Sequence, residues 1–344
     1  MAGLVAAAQA RERGATVRLL EKTARAGGSM AISSGVIWRH RDFEQFHREC
    51  PQGDERLQGL LFERLDDDLA WLESLGAPVT ARGTGNPATA GVRFDPAGLT
   101  QALVTAAGDV ELETPLSEIP GERPTVLATG GFQADRHLVR QHITTEADHL
   151  FLRAAPGGTG DGLSLGLAAG AGTSEGLDQF YGRNMPAPPA SVPAQGFVKV
   201  AQLYAHHATV TNERGDRYAP TVWSEIDVVQ WTARQPRARA WYRVERRDLD
   251  RPSGRGTVGD MVEAARRAGA PVSEEDGAVT VETVAGITTT LGGLRIDTAA
   301  RAAPGVFACG TDAGGIATGG YASGLAAALV FGRIAADSAL GIAA

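Results

Sequence analysis

A chain of 344 residues with 43% hydrophobic and 21% charged content can bury a large core and is expected to form two domains. The net charge of -7 argues against a nucleic-acid groove as its main function. Cys50 and Cys309 lie too far apart in sequence for a metal knuckle or redox pair, so a reducing, cytoplasmic compartment is expected and a disulfide framework is not.

The opening stretch, MAGLVAAAQARERGATVRLLEKTARAGGSM, reads as most of a dinucleotide-binding unit. Gly3 followed by the Ala-rich run Leu4 to Ala10 suits a helix packed closely on a sheet, because a missing side chain at the helix start lets backbone and cofactor approach. Gly14 stops that helix, and Ala15 to Leu20 is predicted as a strand. It ends at Glu21, where a carboxylate can accept both ribose hydroxyls of an adenosine, with Lys22 beside it in the same set. An ordinary amphipathic surface helix is the plain alternative. A secretory signal fits poorly: there is no basic leader, and Arg11, Glu12 and Arg13 follow the apolar run directly. The first strand and first two glycines of a G-x-G-x-x-G fingerprint would have to precede Met1, with Gly3 as the third glycine. The expectation is therefore that the start is incomplete.

Further along, RPTVLATGGF predicts a short buried strand, Thr125 to Ala128, that breaks at Gly130 and Gly131. Paired glycines at a strand end bring main chain against a cofactor, although a plain strand-to-loop crossing has the same pattern. In PGGTGDGLSLGLAAGAG, Thr159, Gly160, Asp161 and Gly162 precede a predicted helix, where Asp161 can equally be only its cap. From about Gln179 to Gly277 glycine thins out and aromatics rise: Phe180, Tyr181, Tyr204, Tyr218, Trp223, Trp231, Trp241 and Tyr242. They suit the lining of a small-molecule pocket or the segment's own core. His206 and His207, expected on a strand, would face opposite sides, and no third residue has metal-ligand spacing. Near the end, Gly305 to Cys309 reads as a strand, GTDAGG as a turn carrying Asp312, and Ser323 onward as a long helix whose N-terminus favours an anionic group. The apolar run along it is interrupted by Arg333 and Asp337 and is not expected to span a membrane.

Taken together, GLVAAAQARERGATVRLLEKTARAGGSM, VLATGGF, GTGDG, GITTTLGGLRID and GVFACGTDAGG…GLAAALVFGRIA resemble, in this order, the flavoproteins that include soluble fumarate reductases, 3-ketosteroid dehydrogenases and tricarballylate dehydrogenase. The resemblance implies an α/β fold: a Rossmann-like FAD-binding domain over residues 1–178 and 284–344, with an α+β capping domain inserted at 179–283. By position it implies that Gly3 abuts the pyrophosphate, that Glu21 holds the adenosine ribose, and that Gly27, Gly28 and Ser29 lie along the cofactor. It also implies Ala128, Thr129 and Gly130 near the adenosine half, and Asp161, Asp312, Ser323 and Leu325 near the flavin side. No His stands in GGSMAISSG, so the FAD is expected to be held noncovalently.

The implied chemistry is addition or removal of hydrogen across a Cα–Cβ bond beside a carbonyl or carboxylate, with a small-molecule substrate and an electron acceptor or donor as partners. Fumarate reductases place paired His where this chain has Thr288 and Thr289, and an Arg before the Asp where it has Ile226 before Asp227. By contrast, GGYASGL resembles the tyrosine-bearing C-terminal turn of ketosteroid dehydrogenases, which makes Tyr321 the candidate carbonyl-polarising donor, with Tyr204 and Tyr181 as alternative proton shuttles. The other expectation is a truncated member of the same family, inactive or poor in flavin because its first strand is missing.

Overall fold

Small side chains decide where the first and last helices meet. The structure, a computed structural model, describes residues 1–121, 123–193, 196–220, 225–254 and 256–342. Trp223 lies outside the described residues. Ala2–Glu12 is a helix in which every residue from Leu4 to Ala10 is buried. It packs on the C-terminal helix, Gly324–Ala339, so closely that a Cβ on Gly332 would lie 3.0 Å from the Ala2 carbonyl oxygen. Such an approach is open only to glycine and alanine faces.

Polar groups are carried into this helix contact. Gln9 Nε2 donates to Asp337 Oδ1 at 2.9 Å, and Arg333 Nε donates to Gln9 Oε1 at 2.9 Å. The Arg333 guanidinium also pairs with Asp68 of the helix Glu55–Ser74 and lies 4.7 Å from the Trp71 ring centroid. Burial pushes the Asp68 carboxyl up from its ordinary pKa, and the Arg333 charge opposes that shift. An ion pair in this setting is costly to halve, because the survivor stays desolvated.

Two compact units result. The first comprises 1–135, 155–179 and 289–344, and the second 136–154 and 180–288. Residues 136–154, which the sequence places with the FAD-binding segment, therefore group with the cap: Phe151–Leu152 pairs in parallel with Gly286 and Ile287 of the long strand Ala278–Thr290.

In the first unit Thr125–Leu127 runs parallel to Val306–Ala308, which pairs antiparallel with Arg301–Ala303. A second, antiparallel sheet has the order Val36–His40, Thr89–Phe94, Val79–Arg82. The strand predicted over Ala15 to Leu20 does not form a ladder. Its pairing is one parallel bridge, Leu20 to Glu111, in which Glu111 N donates to Leu19 O and Glu21 N to Glu111 O, both at 2.9 Å. The partner is extended for too few residues to continue it, and Thr16 and Arg18 stay exposed.

In the second unit Val272–Glu275, Ala278–Thr290, Arg239–Glu245 and Thr209–Thr211 form an antiparallel run. Tyr204, Val210, Val228, Tyr242, Val258 and Val281 make its core, with Tyr218 and Trp231 packed against them. The helix Val258–Ala268 is defined at both ends: Thr257 and Asp260 make a reciprocal capping box, and Gly269 takes the left-handed φ of +90° that ends it. His206 and His207 lie on a tight helical turn, Ala205–His207, and not on a strand. Among the described residues no helix is long and apolar enough to cross a membrane.

The buried pair yields a stability prediction. Asp68→Ala should cost roughly 3 kcal/mol or more in urea unfolding, since it strands a buried guanidinium. Asp66→Ala, which removes an exposed partner of Arg39, should stay within about 1 kcal/mol of the parent. Equal losses from the two would show that the Arg333 pair does not carry the helix contact.

Candidate functional site

Two parallel strands end side by side, and both give way to glycine. Thr125–Leu127 leads into Ala128, Thr129, Gly130 and Gly131, and Val306–Ala308 into Cys309, Gly310, Thr311 and Asp312. Asp312 is 2% exposed. Its carboxylate accepts from the Thr129 main-chain N–H, from the Thr129 hydroxyl at 3.1 Å and from Gly131 N at 2.9 Å. The same Thr129 hydroxyl accepts from Gly162 N at 2.9 Å, at the start of the helix Asp161–Ala168. Burial pushes the Asp312 carboxyl up, while the Gly131 and Thr129 donors pull it down.

The glycines around this carboxylate are of two kinds. Some face protein: a Cβ on Gly162 would lie 2.3 Å from Asp312 Oδ2, and one on Gly131 would lie 2.4 Å from Thr311 Cγ2. Others face open space. Gly130, at φ +99°, and Gly28, at φ +53°, would present a Cβ to nothing within 4 Å. Gln133, which is 3% exposed, donates to Gly130 O at 2.8 Å and fixes that turn from behind. At Gly3 a Cβ would meet Ala128 Cβ at 3.3 Å, so the first helix reaches the strand end as closely as the third glycine of a fingerprint permits.

Glu21 Oε1 accepts from Thr23 N and Thr23 Oγ1, both at 2.8 Å. Lys22 Nζ donates to Thr159 Oγ1 at 2.5 Å and Asp161 Oδ2 at 2.6 Å, and the Thr159 hydroxyl donates to Asp161 Oδ1 at 2.9 Å. The helix cap is Gly160, in the left-handed region, so Asp161 is the partner of Lys22 and not a cap. Ser29 Oγ, just beyond Gly27 and Gly28, accepts from Ala155 N at 3.1 Å.

Lys22, Thr129, Asp161 and Asp312 thus form one continuous group with Gly130 at its edge. The resemblance implies Thr129 near an adenosine half and Asp161 and Asp312 near a flavin side; Thr129 bonds both Asp312 and Gly162, at the start of the Asp161 helix, and Lys22 bonds Asp161. Ser323 serves locally, capping the C-terminal helix by accepting from Ala326 N at 3.2 Å, and Leu325 is half-buried in that helix's first turn.

The three tyrosines differ in setting. Tyr321 is half-buried just ahead of the C-terminal helix, its ring edge-on to Trp38 at 5.8 Å between centroids. Tyr181 is half-buried on the strand Phe180–Pro186, with the Arg183 guanidinium 5.1 Å from its ring centroid. Tyr204 is 0% exposed in the core of the second unit, against Tyr242, which closes it to a substrate in this structure. One cation escaped the sequence reading. Arg153, 5% exposed, donates from Nη1 to Thr288 Oγ1 at 2.6 Å and lies 5.0 Å from the Phe197 ring centroid. No motif marks Arg153; only pairing of Phe151–Leu152 with the long strand brings it to Thr288.

Comparison with known proteins places this geometry. The chain matches the FAD binding domain family over residues 1–114 and 116–325. An open-conformation flavocytochrome c3 fumarate reductase shares the fold with a TM-score of 0.70 and 21% identity, covering 99% of this chain and 76% of the other. So does the 3-ketosteroid-Δ4-(5α)-dehydrogenase of Rhodococcus jostii RHA1 in complex with 4-androstene-3,17-dione, with a TM-score of 0.70 and 18% identity over 98% and 94% of the two chains. The 3-ketosteroid Δ1-dehydrogenase of Sterolibacterium denitrificans is similar at a TM-score of 0.70 and 15% identity, over 99% and 98%. No curated protein matches the sequence. The residues present fit FAD, with main chain at Gly28 and Gly130 open for a dinucleotide to lie against. By its match from Met1 to Leu325, the chain belongs to the FAD-binding flavoprotein family.

Proposed function

We propose that the protein is an FAD-dependent oxidoreductase that adds or removes hydrogen across a Cα–Cβ bond next to a carbonyl, closer in substrate to a ketosteroid dehydrogenase than to a fumarate reductase. The observation that carries this reading is Tyr321: a half-buried phenol held on Trp38 at the head of the C-terminal helix. FAD, when bound, supplies the hydride acceptor or donor. The chain's own residues do the rest. Glu21, Gly27, Gly28 and Gly130 hold the cofactor noncovalently, with Lys22, Asp161 and Asp312 keeping those segments in register. The Tyr321 hydroxyl donates to the substrate carbonyl oxygen as negative charge builds there. A cytoplasmic setting is supported by Cys50 and Cys309, both buried and unlinked.

A second reading has its own observation. Thr288 and Ile226 bring no charge for a dicarboxylate, yet Arg153 sets a guanidinium on Thr288. That arrangement suits an unsaturated carboxylate as substrate.

Two outcomes test the proposal. Gly162→Ala should drive the Asp312 carboxylate off Thr129 and weaken FAD retention about tenfold or more, as ~1.4 kcal/mol suffices for a factor of ten. Gly59→Ala, on a helix face with nothing within 4 Å, should keep the parental flavin content. Equal flavin content in both would place the cofactor elsewhere. Tyr321→Phe keeps the ring packing and removes one hydrogen bond to the transition state, so turnover on cyclic ketones should fall on the order of 10²-fold with FAD binding unchanged. A dye-coupled screen of cyclic ketones beside fumarate measures both points; robust fumarate reduction favours the Arg153 reading, and an undiminished Tyr321→Phe enzyme removes Tyr321 from the site.

A further inference from the structure

The turn that presents Tyr321 is pressed against the end of a short helix. A Cβ on Gly320 would lie 1.7 Å from Glu49 O and 3.1 Å from Cys50 Sγ, at the close of the helix Phe43–Glu49. Glycine is the residue that permits this contact. The Tyr321 ring then rests on Trp38, and Trp38 in turn meets His40 edge-on at 5.3 Å. The His40 ring also stacks on Phe46, with 5.4 Å between centroids.

His40 is therefore an imidazole in an apolar box. It is 0% exposed, and neither Nδ1 nor Nε2 has a hydrogen-bond partner of ordinary geometry among the described residues. Burial pushes its pKa down, and the Tyr321 main chain pushes the other way, as a carbonyl acceptor facing the ring does. Cys50 faces the same stretch of main chain, its thiol pushed up to about 12 by burial. A neutral imidazole always keeps one N–H donor. A Phe or Leu would fill this box without a polar group to satisfy, so packing alone does not account for a histidine here.

We propose that His40 is a positioning residue for Tyr321: its ring N–H donates to the Tyr321 main chain in the flavin-loaded protein and, with Trp38 against the phenol ring, sets where the Tyr321 hydroxyl meets the substrate carbonyl. The proposal rests on the reading of Tyr321 as the carbonyl donor. Placement of such a donor matters at the scale of about 0.5 Å, a shift that a small rotation of an unanchored turn produces.

The test uses flavin-loaded protein and the preferred cyclic ketone, with His40→Phe, His40→Gln, Tyr321→Phe and the His40→Phe/Tyr321→Phe double variant. His40→Phe should lower kcat about tenfold with KM within about twofold and flavin content unchanged, because it removes an orienting bond and no substrate contact. His40→Gln returns an N–H donor and should recover most of the loss. In the Tyr321→Phe background His40→Phe should add nothing, since the hydroxyl it orients is gone. Parental turnover in His40→Phe beside a slow Tyr321→Phe overturns the positioning role and leaves the carbonyl donor standing. Multiplied losses in the double variant overturn it as well, and a fast Tyr321→Phe enzyme instead overturns the underlying reading. Should His40→Phe fold poorly, the flavin-loaded parent decides: a long-range ¹H–¹⁵N spectrum should show neutral His40 with one ring N–H protected from exchange, and a charged or rapidly exchanging ring contradicts the proposal.

Discussion

The Asp312 carboxylate is the fixed point around which the first unit's glycine turns are built. It sits at the end of one strand, accepts from Thr129 and Gly131 at the end of the parallel neighbour, and lies against Gly162, whose N–H reaches the same Thr129 hydroxyl. Three segments from distant parts of the chain are thereby held at one sheet edge. A buried carboxylate is tolerable there because main-chain donors replace the water it has lost. The glycines follow from that: those next to Asp312 are small because protein is already in the way, while Gly130 is free of neighbours where a ligand can approach.

Much of this edge was legible as a pattern of residue types. Strand ends running into Gly130–Gly131 and into the turn of Asp312 have the spacing that brings backbone to a dinucleotide, and the structure forms both strands in parallel pairing. Gly3 also stands where a small residue is needed. Long-range partnership was not legible. That Asp312 reaches back to Thr129, or that Lys22 binds Asp161, depends on how loops return to the sheet, and nothing local in GTDAGG or LEKT encodes it. The strand predicted at Ala15 to Leu20 failed for a related reason: alternation specifies an extended segment, but a ladder also needs a partner that stays extended.

The second unit shows the ambiguity of aromatics. Phe180, Tyr204 and Tyr242 are core residues, whereas Tyr181 keeps partial exposure on the same strand as Phe180. Period-two alternation separates Phe180 from Tyr181 once the strand is known, and composition alone cannot. Arg153 and His40 carry no motif. Each becomes a candidate because a buried polar side chain must be accounted for by its neighbours, here Thr288 in one case and the Tyr321 main chain in the other.

Anaerobic addition of a saturated cyclic ketone to the flavin-loaded protein, followed by visible absorption, tests the account most directly. The oxidised flavin band should bleach as the ketone loses hydrogen from adjacent carbons, and the unsaturated ketone should be recovered in an amount equal to the flavin reduced. A protein that takes up no FAD, or a reduced form that is reoxidised by fumarate and never formed by any ketone, would contradict it.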